Sequence, residues 1–147
     1  MPAAVVPPRC VSQVQAGVRA AARHGVAVVP RGAGSGLSGG ANAIDGCLVV
    51  SLERLASIRE VSAGELTTTV EAGVINASLR DAARGEGLLY APDPASFEFS
   101  TIGGNVATNA GGLCCVKYGV TRDALLEAGV VLAVDLSAPA TRRPRAD

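Results

Sequence analysis

The stretch VVPRGAGSGLSGG, Val28 to Gly40, runs straight on into ANAIDG, which ends at Gly46. Glycine loses more conformational freedom on folding than any other residue, so such a cluster needs a reason. Three phosphate-binding readings compete for it. A Walker-type loop requires Gly-x-x-x-x-Gly-Lys-Ser/Thr. Gly34 and Gly39 have that spacing, but Gly40 stands where the lysine belongs, and without the cation the loop does not reach terminal phosphates in the usual way. A dinucleotide fingerprint, Gly-x-Gly-x-x-Gly, is matched by Gly34, Gly36 and Gly39 after VAVV, with Glu53 near the expected acidic position. That fingerprint also needs a helix before the next strand. Residues 40–46, GANAIDG, are too few and too turn-rich to hold one. The third reading is a loop between two strands whose successive backbone N–H groups turn toward an anion, a nest that works without net charge. A tight surface turn with no ligand stands beside it.

Outward from the loop, local patterns define the neighbours. PPRCVSQVQAGVRAAARHGVAVV reads as a helix and then a strand. Ser12 is the expected N-cap, and Val14, Val18, Ala21 and Ala22 form the apolar stripe. Arg19, Arg23 and His24 suit the C-terminal end of the helix dipole, with Gly25 in the left-handed cap position. His24 is therefore a helix-end residue. CLVVSL, 47–52, is a strand, and IREVSAGELTTTVEAGV holds a hairpin about Ala63-Gly64. VINASLRDAARGEG is a second helix with Ile75, Leu79, Ala82 and Ala83 on one face, ended by Gly85 or Gly87. LLYAP, 88–92, and Leu125 to Val134 read as strands. Parallel βαβ pieces first and antiparallel ones later make the fold class α+β.

Composition narrows the function. Thirteen basic residues balance thirteen acidic ones in 147, so no net field draws the chain to nucleic acid or an anionic membrane. The apolar runs are too short for a membrane span, and MPAAVVPPRC lacks the features of a signal peptide. Cys10, Cys47, Cys114 and Cys115 form no Cys-x-x-Cys pair, and His24 is the only histidine. Neither a metal site nor a disulfide framework is expected. Thiols in a reducing cytoplasm are the simple reading, a vicinal Cys114–Cys115 couple the other.

A second glycine-rich stretch, STIGGNVATNAGG, spans Ser100 to Gly112. Ser100 and Thr101 are placed to cap a short helical turn whose N–H groups face an anion. Asn105, Thr108 and Asn109 add amide and hydroxyl donors. Two such cradles suit a large ligand with a pyrophosphate at its middle.

VVPRGAGSGLSGGA, TVEAGV, APDPAS, TIGGNVATNAGG and KYGVTRD, in that order and spacing, resemble the FAD-binding domain of FAD-linked oxidases of the vanillyl-alcohol-oxidase type. The branch they are most similar to is that of the glycolate oxidase FAD subunit and D-lactate dehydrogenase. The resemblance runs from about Pro7 to Leu132. It implies an α+β FAD-binding domain with a small parallel βαβ subdomain and an incomplete, mainly antiparallel α/β subdomain. It assigns Arg31, Gly32, Ala33, Gly34, Ser35, Gly36 and Leu37 to the first pyrophosphate loop. Pro92, Asp93, Pro94 and Ser96 match a segment beside the flavin. Thr101, Gly103, Gly104, Asn105, Ala107, Thr108 and Asn109 match the second FAD loop, followed by Lys117, Tyr118 and Gly119. Arg31 reads equally as a surface cation packing beside its loop, Asp93 as a turn residue between prolines, and Lys117 and Tyr118 as structural. Some members tether FAD through a histidine in the first loop; Ser35 stands near that place, so non-covalent FAD is expected.

The resemblance also sets expectations for organisation. Residues 1–136 form a partial FAD-binding domain, 1–58 the first subdomain and 59–136 the start of the second. AVDLSAPATRRPRAD lacks an apolar period, so it reads as a truncated end with a disordered 137–147. The substrate domain lies outside the sequence, supplied in an intact relative or by a partner chain. The implied activity is oxidation of a 2-hydroxy acid, such as glycolate or D-lactate, with hydride transfer to FAD. The alternative is a non-catalytic fragment or subunit that binds flavin weakly or not at all.

Overall fold

The computed structural model describes residues 1–133 and 139–141. Three parallel strands, β1 (Ala4–Val6), β2 (Val28–Arg31) and β3 (Leu48–Ser51), form a sheet in the order β1-β3-β2. Helix α1 (Val11–Arg23) links β1 to β2. It begins one residue before Ser12: Cys10 is the N-cap and makes no side-chain cap bond, its thiol lying 3.1 Å from the Ser12 hydroxyl. Ala21 is buried and Val14 and Val18 half-buried as the stripe requires, but Ala22 faces solvent. Gly17 packs instead; a Cβ there would sit 3.8 Å from Val6 Cγ2 and 3.9 Å from Leu48 Cδ2. His24 is the C-cap, and Gly25, at φ 65°, takes the left-handed turn out of the helix.

The decisive connection is β2 to β3. The two pair in parallel, Val28 opposite Leu48 and Arg31 opposite Ser51, and residues 32–47 join them without a helix. Parallel neighbours need a connection of a dozen or more residues, and this loop supplies it as irregular chain. Val29, Cys47 and Val49 form the small core beneath it, with Val50 also buried.

The rest of the chain is mainly antiparallel. β4 (Ile58–Ser62) and β5 (Thr67–Val70) form the expected hairpin. Its turn puts Leu66, at φ 55°, in the left-handed region rather than Gly64. Then come α2 (Asn76–Gly85), α3 (Ile102–Thr108), α4 (Cys115–Tyr118), a 3-10 turn at Thr121–Ala124, and the pair β6 (Glu127–Gly129) and β7 (Pro139–Thr141). Val74, Leu79 and Ile102 form a second core, with Ile58, Val70 and Tyr90 packed against it.

Two expected strands differ. Leu88–Pro92 holds no strand. The Leu88 N–H closes the end of α2 on the Ala83 carbonyl, and Tyr90 packs on the second core, so the apolar residues there serve burial without a strand partner. Between Leu125 and Val134 only Glu127–Gly129 is a strand; Val134 lies outside the described residues. β7 falls within the stretch 137–147 expected to be disordered, and pairs antiparallel with β6; the remaining residues of that stretch lie outside the described ones. Among the described residues no helix is long and apolar enough to cross a membrane.

Candidate cofactor site

The first glycine loop leaves the C-terminal end of β2. Arg31, the last residue of β2, turns its guanidinium back across the loop, donating to the Ala41 carbonyl at 3.3 Å. Gly34 sits over that guanidinium at φ 71°, where a Cβ would come within 2.6 Å of Arg31 Nη2. Arg31 thus braces its own loop. Among the described residues the main-chain N–H groups of 33–37 donate to no protein acceptor. A run of free donors with glycine at alternate positions is the physical requirement of an anion nest.

The second loop meets the first. The site of a Cβ on Gly32 is occupied by the Thr101 side chain, and one on Gly36 would lie 3.7 Å from Thr108 Cγ2. Thr101 is almost fully buried and caps α3, its Oγ1 accepting from the Gly104 N–H at 3.3 Å. The expected cap therefore forms. The donors of its first turn do not face an anion, because the chain itself uses them. Ile102 N–H goes to the Val74 carbonyl at 2.8 Å, Gly103 N–H to Ala72 at 2.8 Å, and Asn105 N–H to Thr101 at 2.9 Å. Gly103 is bare for packing: a Cβ would lie 2.7 Å from that of Ala72. Of the α3 side chains, Thr108 lies against the first loop at Gly36. Asn105 is buried with its Nδ2 unpartnered among the described residues, the kind of orphan donor that native proteins rarely leave. Thr108 and Ala107 are exposed, the Thr108 hydroxyl donating to the Gly104 carbonyl at 3.0 Å. Asn109 is turned away from such a role; its Oδ1 accepts from the Arg122 N–H at 3.0 Å.

The Pro92–Ser96 segment packs beside this junction, with Pro92 and Pro94 buried. Asp93 is more than a turn residue: Oδ1 accepts from the Cys114 N–H at 3.4 Å, and Gly112 lies against it with no room for a side chain. Ser96 holds the Ser100 N–H through its carbonyl at 2.7 Å. Lys117 stacks its ammonium 4.7 Å from the Tyr118 ring centre, and Gly119, at φ 83°, turns against Asp123. These three act in the turn that follows.

A cavity of about 410 Å³ opens where the loops meet, with Ala33 and Thr101 in its wall beside Glu53, Ile75, Ser78 and Phe99. That volume is within the range of small-molecule sites. Sequence reading missed Ile75, Ser78 and Phe99 as wall residues and noted Glu53 only for its spacing. They come from three separate segments, so no local pattern marks them. Among the described residues no group of three or more His, Cys, Asp or Glu side chains is placed to hold a metal ion.

A family model of the FAD binding domain matches residues 2–135. The chain belongs to this family. The FAD-binding domain is 43% identical over 133 residues to the glycolate oxidase subunit GlcD of Bacillus subtilis, covering 90% of this chain and 28% of that protein. It is 48% identical over 122 residues to the D-2-hydroxyglutarate dehydrogenase of Xanthomonas citri, covering 83% and 26%. Among solved structures a chitooligosaccharide oxidase superposes with a TM-score of 0.84 at 27% identity, covering 95% of this chain and 30% of that one. The FAD-binding domain thus spans little more than a quarter of the relatives it matches, and its α+β fold is theirs. The free donors of 33–37 and the unpartnered Asn105 amide fit FAD.

Proposed function

We propose that residues 33–37 receive the pyrophosphate of a non-covalently held FAD on their main-chain N–H groups. Pro92–Ser96 and α3 then flank the rest of the cofactor, and Arg31 holds the loop in shape. A run of unpaired donors on a loop that packs against a second glycine-rich segment is the observation that carries this reading. Non-covalent binding is supported by Ser35 in the loop. The sole histidine, His24, caps α1 ahead of β2, whereas the loop leaves the far end of that strand.

Bound FAD supplies a hydride acceptor. The names of the relatives support a protein that oxidises a 2-hydroxy acid at its α-carbon, the class that includes glycolate, D-lactate and D-2-hydroxyglutarate. Because the chain spans 28% of the glycolate oxidase subunit, the property assigned to these residues is flavin binding. A non-catalytic flavin-binding piece of an assembly, its substrate domain on a partner chain, is the second reading. Its cysteines are free thiols, which supports a reducing, cytoplasmic setting.

The test is a titration of the purified chain with FAD and with NAD, followed by flavin fluorescence and calorimetry. FAD is expected to bind and to leave with the soluble fraction after acid precipitation. Tighter binding of NAD overturns the FAD assignment. Flavin that stays with the polypeptide overturns the non-covalent one.

A further inference from the structure

Residues 72–76 and 100–103 lie side by side as a short antiparallel ladder. Ile75 bridges Thr101, the Asn76 N–H donates to the Ser100 carbonyl at 2.9 Å, and the Ile102 N–H donates to Val74 at 2.8 Å. Ile75 and Thr101 line the cavity, as do Gly73 and Val74. Asn76 and Ser100, joined by that N–H bond, are 0% and 3% exposed. Asn76 Nδ2 reaches out of the ladder to the Pro92 carbonyl at 3.3 Å, and the next residue, Ala77, donates its N–H to the Phe97 carbonyl at 2.9 Å. Asn76 thus touches both segments that border the candidate site.

Its remaining oxygen, Oδ1, and the Ser100 hydroxyl are buried and make no hydrogen bond among the described residues, not even to each other. Buried polar atoms that find no partner in the protein are the usual partners of an enclosed water. The Pro92 carbonyl has a second lone pair for the same guest.

We propose that Asn76 is a positioning residue. Through its amide and through one enclosed water shared with Ser100 and Pro92, it sets the Pro92–Ser96 segment in register with the start of the second FAD loop. The proposal rests on the FAD reading only for its effect on affinity; the water and the local rigidity are independent of it.

Two sets of measurements test it. A crystal structure of the full chain at about 1.8 Å or better should show a water within 2.7–3.2 Å of Asn76 Oδ1 and Ser100 Oγ. A direct bond between the two side chains, or no water between them, overturns the bridge. Asn76→Leu should weaken FAD binding by roughly tenfold and speed amide exchange at Asp93, Ala95 and Ser96, while helix content stays as it was. Ser100→Ala should do the same more mildly, and should add little in the Asn76→Leu background because the pair acts through one guest. Unchanged exchange in Asn76→Leu, or fully additive effects, overturns the positioning role. Failure of the parent chain to bind FAD sinks the cofactor reading alone, since the water and exchange arms are still read.

Discussion

Gly34 combines the two demands that its loop makes on glycine. Its φ of 71° is unfavourable for a branched side chain, and the Arg31 guanidinium fills the space where a Cβ would go. Gly34→Val should therefore cost about 1–3 kcal/mol locally and weaken FAD binding by roughly tenfold or more, read by titration of flavin fluorescence. Gly40→Ala is the control, because nothing lies within 4 Å of its Cβ position and its backbone needs no left-handed turn; its affinity should match the parent. Glycine spacing singled out Gly34 as a candidate cradle position. It did not show which glycines are bare for packing. Gly32 and Gly103 are glycine because Thr101 and Ala72 occupy their side-chain space, and both partners are distant in sequence.

Helix α3 is set by its cap. Thr101→Val keeps the shape of the side chain but removes the acceptor for the Gly104 N–H, so unfolding free energy should fall by about 0.5–2 kcal/mol in a urea titration. The hairpin β4–β5 depends on pH through Glu71. The Arg59 guanidinium, 2.7 Å away, and then the Ser57 N–H hold the Glu71 carboxyl below its ordinary range. A group with a depressed folded pKa stabilises above its unfolded value, about 4.3, and loses that contribution as pH falls through the folded value. Arg59 is 59% exposed, so solvent screens the pair. Glu71→Gln should thus lower stability by only about 0.2–1 kcal/mol at pH 7, and the gap should begin to shrink only once pH falls below the unfolded value and vanish at pH below the folded one. Equal destabilisation at both pH values would refute the linkage. Helix and hairpin positions were readable because their periods and turn residues are local. The strand expected at Leu88–Pro92 was not, because apolar content there serves Tyr90 packing on the second core and not a sheet.

The two cores, one under β2 and β3 and one around Val74, Leu79 and Ile102, are small. Ligand binding should therefore show strongly in thermal stability. FAD at 100 times its dissociation constant should add about 2.7 kcal/mol, seen as a rise in Tm that grows with FAD concentration. NAD at the same concentration should leave Tm where it was. A shift of equal size with NAD would point to a nonspecific anion nest in place of an FAD site.

The amino-acid order alone excluded the Rossmann crossover, because no helix fits between Gly40 and Gly46, and its motifs pointed to FAD. It also placed α1, α2, the hairpin and the Thr101 cap. Each rests on contacts between residues a few positions apart, which periodicity and turn chemistry encode. Tertiary structure alone decided how the donors are used. The first N–H groups of α3 go to Ala72 and Val74 and those of 33–37 stay free, so the unpaired donors lie on the first loop and Thr101 and Thr108 lie against it. Asp93 clamps Gly112 and Cys114, and the cavity takes its sides from four segments. A hydrogen bond uses up its donor wherever the partner comes from, and only the folded chain brings distant partners within reach.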